Sequence, residues 1–298
     1  MRTAEAAISS MSRPSLTKDN ARLRFGQADW AAFDLDMDTL VSAAKRWARQ
    51  LEGVQKPWLC WNISPAWCLL QQKLVKHVGW TPVVGFDPKY QQPTLVEGAI
   101  QINFNEDLNL PQMYFHFPLD FVWVYAPRFA FWHSDLLLRL PYLEEVARIF
   151  EKLEDGEMSA VWDYGGLRQV LNRRMHRYYE LLGCMTRGAS KRNFDTGCGW
   201  WRNIHHHPNV ANEAGRKDRE KIFYDHGFGI MYWKRNHGGR VRDLSLRRTA
   251  EGHCSEIGNK NYQNLPDHYE ATRNTGKEME LNYNLEQVCK RMGLEQFL

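Results

Sequence analysis

The sequence predicts an α/β domain built on a mostly parallel sheet flanked by helices, with a loop-rich C-terminal half. Three observations carry that expectation. Short apolar runs of strand character alternate with amphipathic helical segments from Pro57 to Asp163, the pattern from which parallel sheets are built. The stretch Pro57 to Asp87 has the order and length of one βαβ unit. Beyond Gly183 the periodicity fades and Gly, Asn, His, Arg and Trp become frequent, as in loops that face a ligand.

The elements follow in order. Met1 to Asn20 is rich in Ser, Ala and Thr and shows little periodicity, so residues 1–36 read as a loosely ordered arm. From Asp38, Leu40, Ala44, Trp47 and Leu51 recur at helical spacing, and Gly53 stands where a C-terminal cap would. PWLCWNIS (Pro57 to Ser64) is strand-like, and Ser64-Pro65 supplies an N-cap and a favoured first helical residue. The helix over Ala66 to Val78 places Trp67, Leu70, Leu74 and Val78 on one face and closes at Gly79. TPVVGFD (Thr81 to Asp87) is the next strand. A polar stretch from Gln91 to Asn109 precedes FVWVY (Phe121 to Tyr125) and the run FAFWHSDLLL (Phe129 to Leu138), which reads as a strand bound for a core. Pro141 opens a helix carrying Leu143, Val146, Ala147, Phe150 and Leu153, and MSAVWD (Met158 to Asp163) is again strand-like. Leu167, Val170, Leu171, Met175, Tyr178 and Leu182 predict a helix leading out of this α/β half, residues 37–182. Residues 183–298 form the other half of the same domain, with one further helix near Leu285 to Met292.

Composition bounds the function. The chain has 298 residues, 43% hydrophobic and 25% charged, an ordinary balance for a soluble globular protein. The 12 Trp supply either core volume or flat stacking surfaces for sugars and bases. A net charge of +4 falls short of a dedicated nucleic-acid binder but is compatible with an anionic ligand such as a nucleotide. Six cysteines without a C-x-x-C pair, and no signal-peptide order at the N-terminus, predict reduced thiols in a cytoplasmic protein. No apolar run approaches the about 20 residues needed to span a bilayer, so no membrane partner is expected.

Three clusters could carry chemistry. On a strand, His133 and Asp135 would point to the same side with Cα atoms about 6.6 Å apart. Such a pair serves either as two ligands of one divalent ion or as a buried, hydrogen-bonded structural pair. Oxygen ligands suit Mg²⁺ or Mn²⁺, and an imidazole shifts the preference toward Mn²⁺ or a later transition metal. In open α/β sheets ligands bind at the carboxyl ends of strands, and Asp135 lies near the far end of its run. The second cluster runs from Cys184 through Arg187 to GCGWWRNIHHHPN (Gly197 to Asn209), where glycines allow close backbone approach beside Trp200, Trp201 and His207. The third, FYDHGFGIMYWKRNHGG (Phe223 to Gly239) and EGHCSEIGNKNY (Glu251 to Tyr262), offers Asp225, His226 and His253 as acids, bases or ligands and Lys234 and Arg235 as phosphate partners. The same basic residues would also fit a solvated face.

The order of these parts, an N-terminal βαβ sheet, then FWHSD, then GEMSAVWD, then a Gly- and Trp-rich segment, resembles the GT-A class of nucleotide-sugar glycosyltransferases. The similarity covers the layout from Pro57 to Tyr262, and its specific part is short. It implies a GT-A-like, Rossmann-like sheet, a nucleotide-sugar-binding half (37–182) and an acceptor-binding half (183–298). In that class an Asp-x-Asp at the end of a central strand binds Mn²⁺ or Mg²⁺, which grips the donor's diphosphate, and a late His often adds a ligand. Asp135 matches the second Asp, His133 replaces the first, and His253 matches the late His. The resemblance implies a metal-dependent transfer of a sugar to an acceptor hydroxyl, with a modified base in DNA as one acceptor class. Asp225 or His226, then Asp163, are the candidate bases, and Arg187, Trp200, Trp201, His207, Lys234 and Arg235 the candidate substrate contacts. Two rivals remain. DHG, NHGGRVRDLSL and HCSEIGNKNY loosely echo an HNH nuclease with His226 as base, and the Trp content would also serve a non-enzymatic glycan or nucleic-acid binding module.

Overall fold

The structure is a computed structural model that describes residues 37–86, 92–106, 108, 116–162, 178–200, 227–254 and 285–298. In chain order the elements are α1 (Met37–Gln50), β1 (Pro57–Trp61), α2 (Pro65–His77), β2 (Thr81–Phe86), β3 (Ile100–Asn103), α3 (His116–Leu119), α4 (Val122–Tyr125), β4 (Arg128–Trp132), α5 (Leu140–Glu151), β5 (Glu157–Trp162), β6 (Tyr178–Thr186), α6 (Arg187–Asp195), α7 (Gly227–Asn236), β7 (Arg240–Ser245), α8 (Leu246–Ala250) and α9 (Leu285–Met292). A 3-10 turn, Glu295–Phe297, follows.

The seven strands form one sheet in the order β3-β2-β1-β4-β6-β5-β7. β1 pairs in parallel with β2 and β4, and β2 with β3. β6 is antiparallel to both β4 and β5, and β7 returns parallel to β5. Strand periodicity sends alternate residues to opposite faces. Leu59, Phe129, Phe131 and Met158 join Leu40 and Trp47 of α1, Tyr125 of α4 and Trp233 of α7 in one core. Trp58, Cys60, Ala130 and Trp132 join Leu74 of α2, Val146 of α5 and Val288 of α9 in the other. Burying each such large apolar side chain favours folding by roughly 1.5–3 kcal/mol, so both faces of the sheet must be covered. Among the described residues no helix is long and apolar enough to cross a membrane, and all six cysteines are free and buried.

Two expectations are corrected. Tyr178 and Leu182 do not continue a helix: they belong to β6, whose pairing with β4 and β5 places it inside the sheet. β6 therefore spans the 182/183 boundary between the two expected halves. The run from Phe129 is a strand only as far as Trp132, because the chain turns at His133, where Leu136 N–H donates to the His133 carbonyl at 3.2 Å. The polar stretch before α3 also contributes an unforeseen edge strand, β3.

One irregularity bears on the site. Ala160 of β5 pairs with Gly183 of β6, but the next residue, Val161, pairs with Tyr179. Glu180, Leu181 and Leu182 thus have no counterpart in β5 and form a bulge, a feature that re-aims side chains beside functional positions. The Leu181 carbonyl in this bulge accepts the His133 N–H at 2.9 Å.

Candidate metal centre

β4 is the middle strand of the seven, and β1 is the point from which the chain leaves in one direction through β2 and β3 and in the other to β4. The carboxyl ends of β1 and β4 therefore flank a topological switch point, where open α/β sheets form their ligand crevice. His133, Ser134 and Asp135 follow the carboxyl end of β4.

The turn is held from two sides. Gln71 of α2 is fully buried, and its Nε2 donates to the carbonyls of both His133 (2.7 Å) and Leu136 (2.9 Å). Opposite, Leu136 and His253 form an antiparallel bridge, in which Leu137 N–H donates to the Gly252 carbonyl at 3.1 Å and Cys254 N–H to the Asp135 carbonyl at 3.0 Å. The two backbones approach so closely that a Cβ on Gly252 would collide with the Leu137 carbonyl. α8 delivers His253 to this position. Its first turn is capped by Ser245, whose Oγ accepts the Arg248 N–H at 3.4 Å. Arg248 clasps Glu145 of α5 through two bonds of 2.9 and 2.8 Å and covers the Tyr142 ring at 4.0 Å.

Three side chains converge as a result. Asp135 Oδ1 lies 3.5 Å from His133 Nδ1 and 3.3 Å from His253 Nε2. One ligand atom from each of the three lies within 4.8 Å of the others. The imidazoles meet edge to face with centroids 5.3 Å apart, and the three side chains retain 16–22% exposure. Both contacts of Asp135 Oδ1 are long ion-pair contacts with the two rings. A buried carboxylate oxygen facing two imidazole nitrogens in this way can serve either as a charge-paired cluster or as a set of donors around one cation. With metal–ligand distances of about 2.1 Å, donors around one ion lie about 3.0 Å apart at right angles and about 3.4 Å apart at the tetrahedral angle. The His253 spacing of 3.3 Å falls in that range and the His133 spacing of 3.5 Å lies just above it.

Without an ion, the electrostatics are those of a carboxylate ion-paired with imidazole. Burial alone would push the Asp135 carboxyl up, but contact with His133 and His253 and their positive charge outweigh it and hold it well below the usual carboxylate range. For His133 burial pulls the imidazole down, and Asp135 together with Glu180 from the β6 bulge more than reverses this.

The other predicted residues are dispersed. Trp200 is 1% exposed, meets Phe131 edge-on at 5.4 Å and donates its backbone N–H to Asp120 Oδ1 at 2.9 Å, so it serves as core and presents no stacking face. Arg187 opens α6 at the other end of the sheet, where its Nε donates to the Ala126 carbonyl at 3.3 Å ahead of β4. Lys234 shares the carboxyl edge with the triad but donates to Tyr178 Oη (2.6 Å) and Asp243 (3.1 Å) and lies over the Trp162 and Tyr178 rings. Arg235 is exposed on α7. Asp163, Trp201, His207, Asp225 and His226 lie outside the described residues. Gln71, Glu180 and Gly252 have no place in the sequence-based site. The one signal for Gln71 was a polar residue beside Leu70 on the apolar side of α2.

No family model matches the chain, and no curated protein or solved structure resembles it closely enough to carry an assignment.

Proposed function

We propose that this chain is a metal-dependent glycosyltransferase of the GT-A type, in which His133, Asp135 and His253 hold a divalent cation against the diphosphate of a nucleotide-sugar donor. The observation that carries the reading is the convergence of those three side chains at the carboxyl end of the central strand, beside the switch point between β1 and β4. The GT-A resemblance calls for a short acidic motif there and a late histidine joining it. The mostly parallel, mixed seven-stranded sheet is compatible with it.

The chemistry such a cation supplies is charge neutralisation on the departing diphosphate. The chain's own residues do the rest. Asp135 contributes a carboxylate, which is ionised at neutral pH like any ordinary aspartate. His133 and His253 must each present a neutral nitrogen to bind an ion. Gln71 and the Leu136–His253 bridge fix the relative positions of the ligands, so little ordering is left for the moment of binding. Partial burial lowers the local dielectric and strengthens every charge interaction at the site.

The test is a hydrolysis and transfer assay with labelled UDP, GDP, CMP and TDP sugars in the presence of Mn²⁺, offered with and without hydroxymethylated DNA as acceptor. Slow donor hydrolysis that drops at least about 100-fold in Asp135→Asn supports the reading. DNA cleavage that survives Asp135→Asn and disappears in His226→Ala would instead establish the nuclease. Metal-independent binding of glycan or DNA without turnover would establish the binding module.

A further inference from the structure

We infer that Arg139, Arg247 and Arg291 form a binding surface for the phosphodiester backbone of a nucleic acid, running past the His133–Asp135–His253 cluster. The inference rests on the proposed function and names the class of its acceptor. The three arginines come from separate elements. Arg139 caps the start of α5, Arg247 lies on α8 and Arg291 in the last turn of α9. All three are exposed, and they converge on one exposed carboxylate, Glu251. Arg139 holds a single oxygen of it, Oε1, through Nε at 2.8 Å and Nη2 at 2.7 Å. Arg247 precedes Glu251 by one helical turn. Arg291 follows the same packing as its neighbour Met292, whose Cε lies 2.7 Å from where a Cβ on Gly252 would stand, and it is hydrogen-bonded to the Cys254 thiol. Contact with Arg139, and the charges of Arg139, Arg291 and Arg247, hold the Glu251 carboxyl below its usual range.

The charges on this surface do not balance. Arg248 is matched by Glu145 through bonds of 2.9 and 2.8 Å, and Glu251 matches Arg139. Among the described residues, Arg247 and Arg291 have no carboxylate within ion-pair distance. Guanidinium groups grip phosphate oxygens through two parallel bonds. The surface is open, so it does not enclose a small anion as a pocket would. A phosphodiester chain instead gains from several exposed contacts at once, each releasing counterions. Position supplies the link to the chemistry. Arg139 lies just beyond the β4 turn and Glu251 just before His253, on the two segments joined by the Leu136–His253 bridge. Phosphate contacts fix the register of a strand, and a strand held along this edge presents its acceptor group to the cluster.

The test is fluorescence anisotropy of a labelled DNA oligonucleotide, single-stranded and duplex, with the full-length chain in EDTA between about 50 and 200 mM NaCl. The expected result is binding that weakens with salt. Arg247→Gln and Arg291→Gln should each weaken it about 3- to 10-fold and lower the log–log salt slope by about 0.7–0.9. Glu251→Gln should strengthen it at least about 3-fold, because a competing anion is taken from the arginines; a purely structural Glu251 gives no such gain. Urea unfolding and the visible d–d absorption of added Co²⁺ check that each variant keeps the fold and the His133–Asp135–His253 cluster. Should Arg291→Gln fail to fold, the exposed Arg247→Gln decides the matter. No DNA binding at the lowest salt, an affinity and slope unchanged in Arg247→Gln, or displacement of the DNA by inorganic pyrophosphate at equal phosphate concentration would overturn the inference. DNA binding as described, with no sugar transferred to it, would overturn the glycosyltransferase reading and leave this one standing. Hydrolysis of a sugar nucleotide by a chain that binds no DNA would do the reverse.

Discussion

Gln71→Met removes the clamp on the His133–Leu136 turn while nearly conserving volume. Gln71 is fully buried, and its amide nitrogen serves two carbonyls, those of His133 at 2.7 Å and Leu136 at 2.9 Å. Each such bond contributes about 1 kcal/mol net, and each buried carbonyl left without a donor costs about 1–3 kcal/mol. Part of this is offset, because Gln71 Oε1 is itself buried without a hydrogen-bond partner among the described residues and leaves with the substitution. The balance is a destabilisation of about 2–4 kcal/mol, read as a shift of the urea midpoint. A purely structural role ends there. A positioning role also loosens His133 relative to Asp135 and should weaken Co²⁺ binding by about 10- to 100-fold, the usual cost of removing a partner that orients metal ligands. Loss of stability with unchanged Co²⁺ affinity would refute the positioning argument. A stability change below about 0.5 kcal/mol would refute the hydrogen-bond reasoning itself.

Three further outcomes follow from the packing. Gly252→Ala places a methyl against the Leu137 carbonyl, so the bridge must open. The expected result is about 1–3 kcal/mol of lost stability together with lost Co²⁺ binding, seen in the same two assays. Burial pushes the Cys68 and Cys184 thiols up to about 12. Between about pH 9 and 12 the unfolded chain loses these protons while the folded chain keeps them, so stability falls by about 1.4 kcal/mol per pH unit for each thiol. The urea midpoint should be flat in this respect below pH 8 and drop above pH 9, and the native protein should resist DTNB until it is unfolded. Lys234→Met breaks contacts to Tyr178 and Asp243 at a partly exposed site. It should cost no more than about 1 kcal/mol and leave Co²⁺ affinity unchanged, whereas a loss of metal affinity would place Lys234 at the centre.

The βαβ unit was legible because each signal in Pro57 to Phe86 agrees: an apolar run, Ser64-Pro65, a helical apolar face, then a second apolar run. β6 was not, for a definable reason. Tyr178 and Leu182 are four apart, a spacing that continues a helical stripe and equally keeps two strand residues on one face. The bulge removes even that regularity, since Tyr178 belongs to one core and Leu182 to the other. β7 offered no apolar alternation because it is an exposed edge carrying Arg240, Arg242 and Asp243, as edge strands often do. At the site, an ionisable pair in an apolar run was enough to single out His133 and Asp135. The partnership with His253 was reachable only through the resemblance, since no local pattern encodes an antiparallel bridge between distant segments. Gln71 left only its place on the apolar side of α2 as a signal, because a buried amide serving backbone carbonyls has no sequence periodicity.

That His133 and Asp135 sit on a turn changes what binding of an ion there should do. On an extended strand His133 and Asp135 would form a two-residue grip with no link to the rest of the chain. On the observed turn, the same backbone that carries Asp135 accepts the Cys254 N–H, and Leu137 donates to Gly252. His253, the proposed third ligand, lies between those two bonds. An ion held by all three side chains therefore ties the β4 turn to the segment after α8, and opening the bridge must release the ion. At an ion concentration of 100 times Kd this linkage adds about 2.7 kcal/mol to the closed form. The Leu137 and Cys254 amides should then exchange with deuterium about 100-fold more slowly with Zn²⁺ than without it, while amides of β1 and β2 change little. The slowing should vanish in Asp135→Asn. Equal exchange at Leu137 and Cys254 with and without bound ion would show that the ion does not bridge the two segments, and His253 would no longer count as a ligand.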